Sequence, residues 1–351
     1  MDLLTCGQNK SGNVSSDVAS LNDSELNRMP CDGRFAWTTH GPLVALSFLI
    51  IAFNSIVVAL IYWKVSLRTH SNIILVSLAV SDLMSGLFGV PLIFACSLSV
   101  TRILRQGPLN ACVFSVLFIR FTAVSTVLHF VLVACDRYIL IILPLLSQRH
   151  VTLARVRCAL LVIWIISPLV AAIQLSWYNA GNLLEMKDQD VVYFLFLIVA
   201  FFAVPLAVML FIYSHIIAVT IHHLRAMRIR RDISRSIARD MRGTVILILM
   251  LIVFSACWFP FFMMIFQSHV HVEIFYFSSW SCYTLFARFI PPVTNPIFCV
   301  FCKRDFRNSL RTSARSYKDR FAQLCDVICK KAQPNNGNIR HVSSSQNMSK
   351  L

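Results

Sequence analysis

The charged side chains that fall inside apolar stretches mark the chemistry open to this chain of 351 residues. Asp82 lies within the run Asn72 to Leu83, Arg120 lies in a later apolar stretch that ends in Asp136-Arg137-Tyr138, Asp240 precedes another, and Arg288 stands seven residues before Asn295-Pro296. A carboxylate at the centre of a membrane span costs on the order of 2.5–3.5 kcal/mol on insertion scales, so each such group must face a protein interior and find a partner. Their chemistry is charge pairing and charge recognition in a low dielectric, rather than covalent catalysis. The chain has no His-Glu-x-x-His and no cluster with metal-ligand spacing, and its twelve cysteines stand singly, so neither metal nor cofactor is expected. Arg120 and Arg288, with no carboxylate expected at similar depth in the neighbouring spans, offer planar forks of donors that invite a carboxylate or phosphate. The other reading is that both reach out to water or bond backbone carbonyls.

Hydrophobic residues make up 57% of the chain and charged residues 14%, which excludes an ordinary soluble domain and a disordered chain. Seven apolar windows are long enough to cross a bilayer: Pro42 to Trp63, Asn72 to Leu98, Leu109 to Leu143, Arg157 to Trp177, Val191 to Ile221, Gly243 to Gln267 and Ile274 to Phe301. The third carries Cys112 and Arg137 at its ends, roughly 38 Å apart at helical rise, so they belong at opposite faces of the membrane. The net charge of +16 is gathered in particular connections, which suits membrane topology and not nucleic acid. Lys64 and Arg68 follow the first span, Arg149 and Arg155 the third, and Arg228, Arg231, Arg235, Arg239 and Arg242 line one face of a helix before the sixth. The positive-inside rule makes these connections cytoplasmic and the N-terminus extracellular. Sequons at Asn9, Asn13 and Asn22 agree with that side, and no cleavable signal precedes the first span.

The expected organisation is an extracellular tail (1–41), a membrane bundle (42–301), an amphipathic helix with a basic segment (302–332) and a disordered cytoplasmic tail (333–351). Cys325 and Cys329 are palmitoylation candidates. A transporter would show inverted repeats or paired interrupted helices, and no internal repeat is visible.

Asp136-Arg137-Tyr138 at a span's inner end resembles the third-helix signature of rhodopsin-like (class A) G-protein-coupled receptors. The resemblance extends over residues 42 to about 310 through Asn54, Asp82, Trp164 and Pro168, Pro205 and Tyr213, Cys257-Trp258-Phe259-Pro260-Phe261-Phe262 and Asn295-Pro296. It implies an all-α fold: a seven-transmembrane helix bundle with a short amphipathic cytoplasmic helix after the seventh span. It implies a plasma-membrane receptor and not an enzyme, with a heterotrimeric G protein as partner and with arrestin and a receptor kinase as further ones. The implied switch residues are Asp136, Arg137, Tyr138, Tyr213, Asp240, Trp258, Pro260, Asn295 and Pro296, with Arg137 pairing to Asp136 and Asp240 at rest. The implied ligand pocket holds Ile119, Arg120, Trp258, Phe261, Phe262 and Arg288. Asn54, Asp82, Thr126 and Asn295 form either a structural polar core or a sodium or proton site.

Four departures from the family pattern carry information. Ile119 stands where amine receptors carry an aspartate, which argues against an amine ligand; Phe289 replaces the opsin lysine, which argues against retinal. Cys299 replaces the tyrosine expected three residues after Pro296. The loop Gln174 to Asp190 has no cysteine, so Cys112 lacks its usual partner and is left to pair with Cys31 or Cys6 or to stay reduced. Cys299 and that loop also admit a constitutively active or degenerate receptor. Asn72 to Pro91 and Pro144-Leu145 have the look of the amine, adenosine and lipid receptor group.

Overall fold

Proline and glycine set where the helices of this protein bend. The structure, a computed structural model, describes residues 37–100, 111–144, 151–177, 183–226, 231–270, 283–298 and 304–332. The first span is α1 (Trp37–Trp63). The second is α2 (His70–Met84) and α3 (Val90–Val100), joined by a widened π turn at Ser85–Gly89 just before Pro91. The third is α4 (Ala111–Ile142) and the fourth α5 (Leu153–Ala172), continued by a 3-10 turn at Ile173–Ser176. The fifth is α6 (Leu183–Ile198) and α7 (Val204–Ala226), joined by a π turn at Val199–Ala203 just before Pro205. The sixth is α8 (Arg231–Val270), and the described part of the seventh is residues 283–287 followed by α9 (Ile290–Ile297).

Each interruption follows from missing donors. A proline cannot donate to the carbonyl four residues back, so the helix widens ahead of Pro91 and Pro205. Pro291 and Pro292 remove two consecutive donors, and the helix breaks at Arg288–Phe289, where Phe289 N donates to Phe286 O at 3.0 Å. Two helix starts are capped by side chains: Thr69 accepts from Asn72 N at α2, and Thr152 accepts from Arg155 N at α5.

Helix α4 is the axle. It packs against α2, α3, α5, α7 and α8, and α9 closes the ring against α1 and α8. Phe130, Val133 and Ala134 of α4 are buried, whereas Phe48, Leu161, Leu169, Phe211 and Ile252 on the outer faces are more than half exposed. Apolar side chains on the outside are stable only against lipid. Six helices of the described residues are long and apolar enough to cross a membrane: Trp37–Trp63, His70–Ser97, Ala111–Ile142, Leu153–Ser176, Gln189–His222 and Gly243–Met263. Between helices in lipid, close packing and polar contacts replace the hydrophobic effect. At Gly86 a Cβ would stand 3.0 Å from Ile50, and Ser47 Oγ donates to Gly86 O at 2.8 Å, so side chains of α1 pack directly on the backbone of the second span.

Helix α10 (Arg304–Ala332) is one continuous helix of 29 residues where a short amphipathic helix and a basic segment were expected. Its first turns set Phe306 and Leu310 against Arg307 and Arg311. Cys325 and Cys329 stand one turn apart on it. Asn9, Asn13, Asn22, Cys6, Cys31, Cys299 and the 333–351 tail lie outside the described residues.

Candidate functional site

At the inner end of α4, Ser71 of α2 donates to Asp136 Oδ2, which draws the carboxylate toward the second span. Arg137 Nε lies 3.9 Å from the same oxygen, beyond hydrogen-bond reach, and it has no hydrogen-bond acceptor among the described residues. A methyl group on Gly243 of α8 would stand 3.9 Å from Arg137 Nη1, so the guanidinium passes α8 at its one residue without a side chain here. Asp240 lies three residues earlier on α8; its side chain is outside the described residues. On the other flank the Tyr138 ring is 5.6 Å from His215 of α7, and Tyr213 is buried.

Half-way along the bundle, Asn295 Nδ2 donates to Asp82 Oδ2 at 3.0 Å. Asn54 Nδ2 donates to Ile50 O and to Pro292 O, both at 2.9 Å, so it reaches α9 through the backbone one turn above Asn295. Thr126 does not join this cluster: its hydroxyl donates to Thr122 O of its own helix at 2.9 Å. Of the four residues named from sequence, side-chain hydrogen bonds thus join Asp82 and Asn295, with Asn54 bound to the backbone of α9; Thr126 stays apart because a threonine in a helix can satisfy its hydroxyl on the preceding turn.

A second polar node was missed in the sequence reading. His129 Nε2 meets Ser77 Oγ at 2.8 Å, Trp164 Nε1 donates to the same oxygen at 2.9 Å, and His129 Nδ1 is 2.7 Å from Ser125 O. The signal was present as a lone histidine eight residues before Arg137 in an apolar span.

Above these nodes stands a column of rings. Phe130 of α4 meets Phe254 of α8 edge to face at 5.6 Å, Phe254 stacks on Trp258 at 5.8 Å, and Trp258 meets Phe261 at 5.6 Å and Phe262 at 6.1 Å. Phe262 reaches Phe202 of the fifth span at 4.7 Å. Pro260 lies inside this segment of α8, where its missing N–H loosens the helix ladder.

The column forms the floor of a partly open cavity lined by Arg120, Ala123, Val124 and Val127 of α4, Phe194, Leu197 and Phe201 of the fifth span, and Phe254, Trp258, Phe261 and Phe262 of α8. Arg120, Trp258, Phe261 and Phe262 are thus brought together as expected. Ile119 and Arg288 do not line it. Ile119 is buried in the packing core, because it is one residue and so about 100° round the helix from Arg120. Arg288 lies over the outside of the Phe261 ring at 4.9 Å, with its Nε donating to Thr284 O at 3.1 Å.

Two further expectations are corrected at the outer end. Arg120 does have a carboxylate in its neighbourhood: Arg120 donates to Gln174 Oε1, and Gln174 Nε2 donates to Asp190 Oδ1 at 2.9 Å. Helix α6 starts at Leu183, so Asp190 is a buried helical residue and not part of a loop. Cys112 is disulfide-bonded to Cys96 of α3, with Cα atoms 4.4 Å apart, and not to the N-terminal tail. The π turn at Ser85–Gly89 and the helix beyond it bring Cys96 to the top of α4, a meeting that spacing alone does not reveal.

Residues 53–298 match the family model described as 7 transmembrane receptor (rhodopsin family). The chain belongs to this family. It is an all-α, multi-pass plasma-membrane receptor with a seven-helix bundle, a G-protein-coupled receptor of class A. Similar receptors are the adenosine receptor A2b of Gallus gallus, 26% identical over 75% of this chain and 84% of its own; the high-affinity lysophosphatidic acid receptor of Xenopus laevis, 26% identical over 85% and 89%; and the histamine H2 receptor of Cavia porcellus, 26% identical over 76% of each. The family is one of receptors, not of enzymes. In this receptor the cavity stands along the N-terminal half of α4 and Asp136-Arg137 near its C-terminal end.

Proposed function

We propose that this receptor binds an extracellular ligand in the cavity beneath Arg120 and passes the signal to a heterotrimeric G protein at Arg137. The observation that carries the proposal is the unbroken column of rings from Phe261 and Phe262 through Trp258 and Phe254 to Phe130, which connects the cavity floor to α4. A ligand that presses on Trp258 favours one arrangement of α8 about Pro260 over another. Only such differential affinity couples the two ends. Outward movement of the inner part of α8 would uncover Arg137, which lies beside Gly243 of α8, and would release it from any pairing with Asp240. The cleft so formed would receive the G protein, with arrestin and a receptor kinase as later partners of the same face. Nucleotide exchange takes place on the G protein, so the chain needs no catalytic group.

The N-terminus is extracellular and the C-terminus cytoplasmic in this proposal, which places the basic residues from Arg225 to Arg242 beside anionic lipid and the G protein. The three relatives are named for adenosine, lysophosphatidic acid and histamine, and Ile119 in place of an aspartate speaks against an amine. A degenerate receptor is the second reading, based on Cys299; the Cys96–Cys112 bond removes one argument for it, since α4 is tied at its outer end after all.

The test is second-messenger output, cyclic AMP and calcium, in cells that express the wild-type chain or Arg137→Ala with no ligand added. A basal signal that falls in the variant at equal surface expression supports G-protein coupling through Arg137. A signal that persists unchanged would refute that role.

A further inference from the structure

We infer that the ligand is an amphiphile with a single acidic head and an apolar tail, and that its head competes with the Gln174–Asp190 relay for Arg120. This inference rests on the assignment of the cavity as the ligand site. Nine of the lining residues carry hydrocarbon side chains alone, and the other two are Trp258 and Arg120. A ligand rich in hydrogen-bonding groups would leave most of them unsatisfied on such walls, at a cost of about 1–3 kcal/mol per group. A tail without polar atoms loses nothing there.

The head is specified by Arg120. Its guanidinium is buried in the wall, stacked 4.7 Å from the Phe194 ring and 5.3 Å from the Tyr193 ring, so its plane and its donors are held in place. A guanidinium in this position favours a carboxylate or a phosphate monoester over any neutral head. The relay adds regulation. Asp190 accepts from Gln174 Nε2 at 2.9 Å and from Trp177 Nε1 at 3.0 Å, while its Oδ2 is buried without a hydrogen-bond partner among the described residues. The carboxylate is thus a competing anion linked to Arg120 through the Gln174 amide. An acidic ligand head would draw Arg120 from Gln174 and loosen the link between α4, the turn after α5, and α6. The negative charge of Asp190 opposes that head.

This gives opposite signs for two neighbouring substitutions, which a merely structural role for either would not give. The experiment uses the full chain in neutral-lipid nanodiscs and reads thermal stabilisation by dodecanoate, dodecyl phosphate, dodecanol and butyrate. Dodecanoate or dodecyl phosphate should raise Tm, dodecanol should act at least tenfold more weakly, and butyrate should do nothing. Arg120→Gln should weaken the acidic probes by tenfold or more, Asp190→Asn should tighten them severalfold, and Val127→Trp, which fills the cavity, should abolish stabilisation by every probe. Equal potency of dodecanol and dodecanoate, or the same change in Arg120→Gln and Asp190→Asn, would overturn the inference. Failure of all four probes to stabilise the wild-type chain would overturn it too. Stabilisation without any change in second-messenger output would leave the head and tail assignment standing and count against the cavity as the signalling site.

Discussion

Arg137 Nε is a buried nitrogen without an acceptor among the described residues, 3.9 Å from a carboxylate oxygen that Ser71 already engages. A carboxylate shared in this way between Ser71 and Arg137 fits a guanidinium that must change partners, and it leads us to expect measurable basal signalling. Ser71→Ala should free Asp136 Oδ2 to approach Arg137 and lower basal output, by about tenfold if the coupling is of the usual 1–3 kcal/mol size. An increase would reverse this account of Asp136. His129 is the opposite case, bonded at both ring nitrogens. His129→Phe would deprive the Ser77 hydroxyl and Ser125 O of their imidazole partner in the core, and the expected loss is about 1–3 kcal/mol, visible as a lower Tm. At this scale the sequence identified Asp82, Arg120, Arg137, Trp258 and Asn295 correctly as inward-facing groups, since a charged or polar residue in an apolar span has nowhere else to go. It misplaced Asp190 because Glu185, Lys187 and Asp188 lower the local hydropathy, although backbone hydrogen bonding starts the helix at Leu183.

Helices in this receptor are shaped by the donors that prolines remove. The span order was legible from apolar length, and so was Pro260; the π turns before Pro91 and Pro205 were not, because a widened turn keeps the same composition as a regular one. That hidden geometry decides the partner of Cys112. Cys96→Ser and Cys112→Ser should each lower Tm by the same amount, and the double variant should lower it no further, because the two residues act as one bond. Additive losses would contradict the pairing. At the α1 contact a Cβ at Gly86 would meet Ile50 at 3.0 Å and Ile51 at 3.2 Å. Gly86→Val should therefore cost about 1–3 kcal/mol by overpacking, and an additional Ile50→Ala change should restore part of the loss.

Taken whole, the bundle places an apolar cavity, a column of rings and an unsaturated arginine in series along α4 and α8. Lipid-facing side chains are exposed in large number, so the arrangement is stable only in a bilayer, with two water-facing ends that communicate through the protein. The measurement that tests this most directly is nucleotide exchange on a panel of purified heterotrimeric G proteins by the receptor in nanodiscs, wild type against Arg137→Ala, without ligand. The account predicts exchange above empty nanodiscs for at least one heterotrimer and its loss in the variant. Exchange that survives Arg137→Ala, or a wild-type chain that stimulates none of the panel, would contradict it.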